Sequence, residues 1–279
     1  MTLAPALSSL YRSRARQWAQ YYALLEQQLG ATATIIPFGD QTRAGKVNAS
    51  TFTGYGFNAS GLSPTWTPGI ALDTWATPFD LASEANWQGD APILTFKGSG
   101  SEYISSPDAA YWTSALAAFS LSCWLNITTL SASAFVFDKH DEGAAKEFIF
   151  SVSDGKLQTV IYDNTAGSYI GRSYNTAIAV GAWRHVAVTY SGGATSAAIK
   201  IYLDGVQVDD TNVESGVFTT MRDTATTVIL GCGQNNTAAN YFYTGKLLGG
   251  PFGLAYCQAE LTVAQVKNIY QGLRTGAGL

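Results

Sequence analysis

Residues 181–205 read GAWRHVAVTYSGGATSAAIKIYLDG. The runs Ala182 to Tyr190 and Ala198 to Leu203 are rich in β-branched and aromatic side chains, which fit a pleated, buried surface. Gly192-Gly193 and Asp204-Gly205 follow the two runs. Such dipeptides supply the positive φ angles that close tight hairpins, so the segment reads as strand, turn, strand, turn.

The same texture extends in both directions. Phe119, Leu121, Cys123, Leu125 and Ile127 alternate with Ser120, Ser122, Trp124 and Asn126, the period of two that marks a strand. Further β runs lie at Ala134 to Asp138, Glu147 to Ser153, Lys156 to Tyr162, Tyr169 to Tyr174 and Thr226 to Gly231, with another hairpin signal at Asp154-Gly155. Strands this short and this evenly punctuated build a sandwich or jelly roll. Near the end, Thr262 followed by Gln265 is a capping-box pattern opening a helix through Val263, Val266, Ile269 and Tyr270.

Composition agrees. Of 279 residues 47% are hydrophobic and 13% charged, with a net charge of −4, which excludes a disordered tail and a strongly basic nucleic-acid binder. Its 28 Gly, 15 Tyr, 13 Phe and 7 Trp are the usage of strands and turns. Cys123, Cys232 and Cys257 are odd in number and lack C-x-x-C spacing, so they read as small core residues, not as a disulfide framework or zinc site. Met1 to Leu10 has no basic region leading into a long apolar one, so no signal peptide is expected. No run approaches the roughly 20 apolar residues of a membrane span, and a soluble protein is expected.

The amino-terminal third differs. Residues 1–46 carry five Lys and Arg against two acids. Leu10, Tyr11, Trp18, Tyr21, Tyr22, Leu25 and Leu29 recur at helical spacing, and Gly30 supplies a stop. One helix cannot bury that stripe alone, so it packs on its own domain, on a copy of itself or on another protein. Arg12 and Arg16 share a helical face and, with Arg14 nearby, are either a solvated face or a small patch for phosphate or an acidic protein surface. Residues 31–90 hold isolated aromatics, among them Trp66 and Trp75, in a Gly, Thr, Ser, Asn and Pro background without a sustained period. This is either an extended arm laid on a surface or a set of short extra strands of the domain that follows.

The run Trp183-Arg-His185-Val-Ala-Val-Thr-Tyr190, followed by Tyr202-Leu-Asp204-Gly205, resembles the W-x-H-V-A-x-T-Y and Y-x-D-G hallmarks of laminin G-like jelly rolls, which belong to the concanavalin A-like lectin and glucanase architecture. Leu94 to Gly98 with Tyr103-Ile104 resembles the opening strand, Phe119 to Leu125 the aromatic second strand, and Ile229-Leu-Gly231, Phe242 to Gly245 and the Leu261 to Tyr270 helix the closing elements. The resemblance implies an all-β, concanavalin A-like jelly-roll sandwich over residues 91–272. It is preceded by an amphipathic helix (1–30) and an extended arm (31–90), and followed by a tail (273–279).

Within that frame Trp124 and Trp183 are expected between the two sheets, and His185 in the core. His140 is the only other histidine, so neither a Ser-His-Asp triad nor a three-histidine metal site can be assembled. Retaining glycosidases need two carboxyl groups about 5 Å apart. Hydrolases of this architecture carry E-x-D-x-x-E on one strand, and the seven glutamates here form no such pattern, so the protein is expected not to be an enzyme. Calcium is common in the family. Ser101-Glu102 and Leu247 to Gly250 depart from its usual acids, which leaves Asp138, Asp141 and Glu142 as a candidate ion loop or simply a solvated one. No cofactor is otherwise expected.

A glycan site needs a platform aromatic with amides or carboxylates that fix hydroxyl groups. Tyr162, Asp163, Asn164, Tyr169, Arg172 and Tyr174 on neighbouring strands offer that mixture, as does the loop of Asn235, Asn236, Asn240 and Tyr241. The alternative for these residues is a polar sheet face. A jelly roll behind a helix and an aromatic arm resembles the layout of tailed-phage virion proteins. The expected function is a structural or adhesive protein that anchors through Tyr11, Trp18, Tyr21, Tyr22, Trp66 and Trp75 to an assembly or to itself. Its jelly roll is then displayed for decoration or binding at a virion or extracellular surface, and a free lectin-like carbohydrate-binding module is the alternative.

Overall fold

A computed structural model describes residues 18, 20–30, 34–36, 52–53, 55–56, 71–72, 87–89, 91–98, 103–106, 108, 112, 117–143, 145–236 and 238–279. Short strands come first: β1 (Thr34–Ile36), β2 (Phe52–Thr53), β3 (Tyr55–Gly56), β4 (Ala71–Leu72) and β5 (Trp87–Gln88). The body opens with β6 (Ala91–Lys97), β7 (Ile104–Ser106), β8 (Phe119–Ile127), β9 (Phe135–Asp141), β10 (Ala145–Ser153) and β11 (Lys156–Asp163). It continues through β12 (Ser168–Tyr174), β13 (Trp183–Tyr190), β14 (Ile199–Leu203), β15 (Val206–Gln207) and β16 (Thr211–Ser215). The last strands are β17 (Val228–Leu230), β18 (Gly233–Asn235), β19 (Ala238–Asn240), β20 (Thr244–Leu248) and β21 (Leu254–Cys257). Residues 20–29 form helix α1, and Val263–Arg274 form α2.

Two sheets face each other. The first runs β15-β14-β13-β8-β20-β6-β5, with β21 beside β8, β1 beside β21 and β3 beside β1. The second runs β16-β12-β11-β10-β9-β17-β7, and the β18–β19 hairpin attaches to β9. The Asp-Gly hairpin signals hold: Asp154 and Asp204 both have φ of 51°, and Gly155 and Gly205 both have 78°. Of the arm, β1, β3 and β5 add to the first sheet by main-chain pairing, and β2 pairs with β4. Among the described residues these are the short extra strands of the second reading. Tyr11, Trp66 and Trp75 lie outside the described residues.

Three apolar layers follow from the alternation. Phe119, Leu121, Cys123, Leu125 and Ile127 of β8 point between the sheets, where they meet Phe137, Phe148, Phe150 and Ile161. Trp124 points the other way. With Tyr202 and Ala187 it lies on the outer face of the first sheet, under Val266, Ile269 and Leu273 of α2 and Tyr22, Leu25 and Leu29 of α1. The expectation that Trp124 and Trp183 fill the space between the sheets is therefore corrected: Trp183 packs, half-buried, on this same helix-covered cluster. β8 is buried along its whole length because both of its faces are covered. His185 is 1% exposed in this layer, 5.3 Å from Trp124 and 5.9 Å from Tyr270 between ring centroids.

Helix α1 is held by its own chain. Tyr21 meets Phe252 with ring centroids 5.1 Å apart, Trp18 lies against Gly250, and Gln28 accepts at its carbonyl from Gln265 Nε2 at 2.7 Å. Two glycines make room for it. A Cβ on Gly272 would stand 2.2 Å from Leu24 Cδ2, and one on Gly276 would stand 2.4 Å from the Tyr21 ring and 2.8 Å from Phe252. The anchoring role expected for Trp18, Tyr21 and Tyr22 is thus replaced, for these rings, by an intramolecular seat. Gly276→Val is expected to unseat α1 at a cost of about 1–3 kcal/mol. Limited proteolysis should then cut within residues 20–29 before the body, and equal resistance of variant and parent would contradict the seat.

Candidate functional site

The outer face of the second sheet carries the candidate site. Along β11, Leu157 and Ile161 point into the core, so Val160 and Tyr162 point outward. Tyr162 is in register with Tyr169 of β12, and Gly171 sits between Val160 and Val213 of β16. The glycine leaves a low floor of Ile149, Val160 and Val213 with tyrosines along one side.

Aromatic rings continue across the sheet as a ladder. Tyr169 and Tyr162 lie 5.6 Å apart, Tyr162 and His140 5.1 Å, His140 and Phe135 5.9 Å, and Phe135 stacks on Tyr241 at 4.8 Å and 21°. Tyr162, Tyr169 and Tyr241 are half-buried, so each leaves part of its ring to solvent. Tyr241 holds a φ of 51°, uncommon for a bulky residue, which costs on the order of 1–3 kcal/mol and is stored where the surroundings fix it. Here its carbonyl accepts from Phe135 N at 2.9 Å, its amide donates to Asn240 Oδ1 at 2.9 Å, and its hydroxyl donates to Glu142.

Polar groups rim the ladder. Lys146 Nζ stands 5.7 Å from the Tyr162 ring centroid, and its backbone amide donates to Asn164 Oδ1 at 3.3 Å. The Asn235 side chain is hydrogen-bonded to Tyr241 and accepts from Asn236 Nδ2 at 3.0 Å. His140 lies beneath this surface. Burial, and then Lys146, lower its pKa to about 4, so it is a neutral ring at neutral pH.

Not every expected residue arrives here. Tyr162, Asn164, Tyr169 and Asn235 are brought together. Asp163 points inward, 1% exposed, and accepts from the amides of Ala166, Thr219 and Thr220 at 3.2, 3.2 and 3.4 Å. Burial alone would raise its pKa, and these amides with Arg222 outweigh it and hold the carboxyl below its ordinary value. Arg172 also faces inward and clamps Asp209 at 2.7 Å, while Tyr174 packs on the inner core. Both are corrections: they hold the sheets together and do not line the site. His140, Phe135 and Lys146 were not anticipated.

The three loop acids do not gather on one point. Asp141 Oδ1 already accepts from Asn236 N at 2.7 Å and Gly143 N at 3.1 Å, and Glu142 takes the Tyr241 hydroxyl. Asp138 is fully buried, and burial together with Asp141 pushes its pKa well above the ordinary carboxylate value. Among the described residues no three acids, histidines or cysteines gather as a metal site, and no helix is long and apolar enough to cross a membrane.

Two facing sheets in this strand order define a jelly-roll sandwich. The chain belongs to the concanavalin A-like lectin/glucanases superfamily, whose laminin G-type family model matches residues 98–248. The binding domain of botulinum neurotoxin serotype G shares the fold, with a TM-score of 0.52 at 10% identity, over 87% of this chain and 51% of its own. The binding domain of Paraclostridial mosquitocidal protein 1 gives a TM-score of 0.47 at 12% identity, over 72% of this chain and 51% of its own. A SAP-like pentraxin from Limulus polyphemus gives 0.44 at 18% identity, over 63% and 79%. The chain spans about half the length of the two toxin domains. No curated protein matches it.

Proposed function

We propose that the protein is a non-enzymatic glycan-binding module whose ligand lies across the outer face of the second sheet. The observation that carries this is the tyrosine ladder: half-exposed rings of Tyr162, Tyr169 and Tyr241 beside a low apolar floor, rimmed by Asn164, Asn235, Glu142 and Lys146. Aromatic faces take the C–H face of a sugar, and amides and carboxylates fix its hydroxyls. The acids nearest the site are already hydrogen-bonded or fully buried, which leaves no free carboxylate pair for hydrolysis among the described residues. On a glycan array the protein is expected to select a defined set of sugars. Tyr162→Ala and Tyr169→Ala should each weaken binding about tenfold or more, equivalent to about 1.4 kcal/mol. Absence of glycan binding, or affinity indifferent to both changes, would sink the proposal.

A second reading places the module in a larger assembly, virion-like, through the arm. What favours it is the aromatic content of residues 57–86, with Trp66 and Trp75. Trp66→Ala with Trp75→Ala in the full chain should then lower incorporation into the particle and leave glycan affinity unchanged.

A further inference from the structure

Away from the tyrosine ladder, one buried nucleophile has chemistry that binding does not use. The Lys139 side chain is 0% exposed, on β9 in register with Phe148 of the inner core. Its Nζ lies 2.8 Å from Asp108 Oδ1 and 2.6 Å from Glu147 Oε1, and it donates to the Thr224 carbonyl at 3.0 Å. Asp223 is farther, at 3.4 Å, and half its side chain is exposed. Glu147 sits where the register of β9 and β10 slips, a bulge that turns its side chain toward Lys139.

Glu147 is fixed but only half satisfied. Thr224 donates to Oε1 from its amide at 2.7 Å and from its hydroxyl at 2.6 Å, whereas the buried Oε2 has no partner. A carboxylate with one bare oxygen in an apolar interior is costly, and a proton on that oxygen removes the cost. Burial accordingly raises the Glu147 pKa, with Lys139 and Thr224 offsetting only part of the effect. For Lys139 burial works against the charged form, and Asp108 and Glu147 outweigh it. Both groups thus hold a proton more tightly than usual, and the 2.6 Å contact between Nζ and Oε1 is the path along which one can pass.

We propose that Lys139 and Asp108 condense to an intramolecular amide, with Glu147 as the acid–base group. Glu147 takes a proton from Nζ, and the freed lone pair attacks Asp108 Cγ. That proton passes from Glu147 to an Asp108 oxygen, and as the tetrahedral centre collapses Glu147 carries a second proton from the nitrogen to the same oxygen, so that the Cγ–O bond breaks and water leaves. One ammonium and one carboxylate thus become one amide and one water, with no oxidant or other reactant. Water competes in the reverse direction, but Lys139 is closed to solvent while Asp108 is 29% exposed and offers the exit. Groups held this close reach effective molarities of about 10⁵–10⁸ M, which drives the condensation that dilute amine and acid do not undergo. Acid–base assistance of the kind Glu147 offers contributes a further factor of about 10²–10⁴ in rate.

Intact-mass spectrometry of the full chain tests this independently of any glycan. The expected mass is that of the sequence less one water, with a branched tryptic peptide joining the Asp108 and Lys139 segments. Asp108→Ala and Lys139→Arg should restore the sequence mass, and Glu147→Gln should slow linkage at least tenfold. Parent protein that keeps its full sequence mass after long incubation, with the two peptides separate, overturns the proposal whatever the variants do.

Discussion

Truncating Trp124 to alanine is expected to destabilise the protein by about 3–5 kcal/mol, the range for a fully buried large aromatic. The indole is 2% exposed on β8, a strand bonded to β13, β20 and β21, and it stacks on Tyr270 of α2 at 5.7 Å and 29°. The cavity would open under the helices and not between the sheets, so its walls are Tyr202, Ala187, Ile269 and the His185 ring. Denaturant titration should show a lower midpoint with an unchanged slope, because the surface exposed on unfolding is the same. A loss below about 1 kcal/mol would mean that α2 does not close this layer.

His185 is expected to make the protein acid-sensitive. Burial lowers its pKa to about 3, and both ring nitrogens lack a partner. A depressed histidine binds its proton more weakly in the folded state, so its contribution is complete above about pH 6.5 and shrinks as pH falls toward 3, by about 1.4 kcal/mol per pH unit. His140 acts in the same direction down to about 4. Asp138 and Glu147 act oppositely, since burial raises both and acidification relieves them. The His185 contribution is isolated by difference. Between pH 7.5 and pH 4, His185→Phe should lose about 3 kcal/mol less stability than the parent. Parallel stability curves for the two proteins would contradict a neutral buried His185.

Much of the fold was legible because it rests on local rules. Alternation over Phe119 to Ile127, the Asp154-Gly155 and Asp204-Gly205 turns, and the Thr262–Gln265 capping box all appear as read. The direction of Trp124 was not legible. Period two says which residues share a face, but it does not say which face is interior when helices cover the outside. At the candidate site, parity separates the residues on the outer face from those that point inward: Tyr169 and Arg172 differ by three positions, and Tyr162 and Asp163 by one, so each pair straddles the sheet. Phe135, His140 and Lys146 reach the ladder through a strand bulge and a distant loop, contacts that carry no short-range signal. The seat of α1 depended on Gly272 and Gly276, more than 240 residues away along the chain, an empty space that no pattern in the helix itself discloses.

The two helices and the tyrosine ladder occupy opposite sides of the sandwich. Leu279, partly exposed, follows Gly278, whose carbonyl accepts from Gln88 Nε2 on the helix side. Anything tethered beyond that point departs from the back of the molecule. A bead, a fused partner or a second copy attached there leaves the tyrosine-bearing face unobstructed, and two copies joined tail to tail would present those faces in opposite directions.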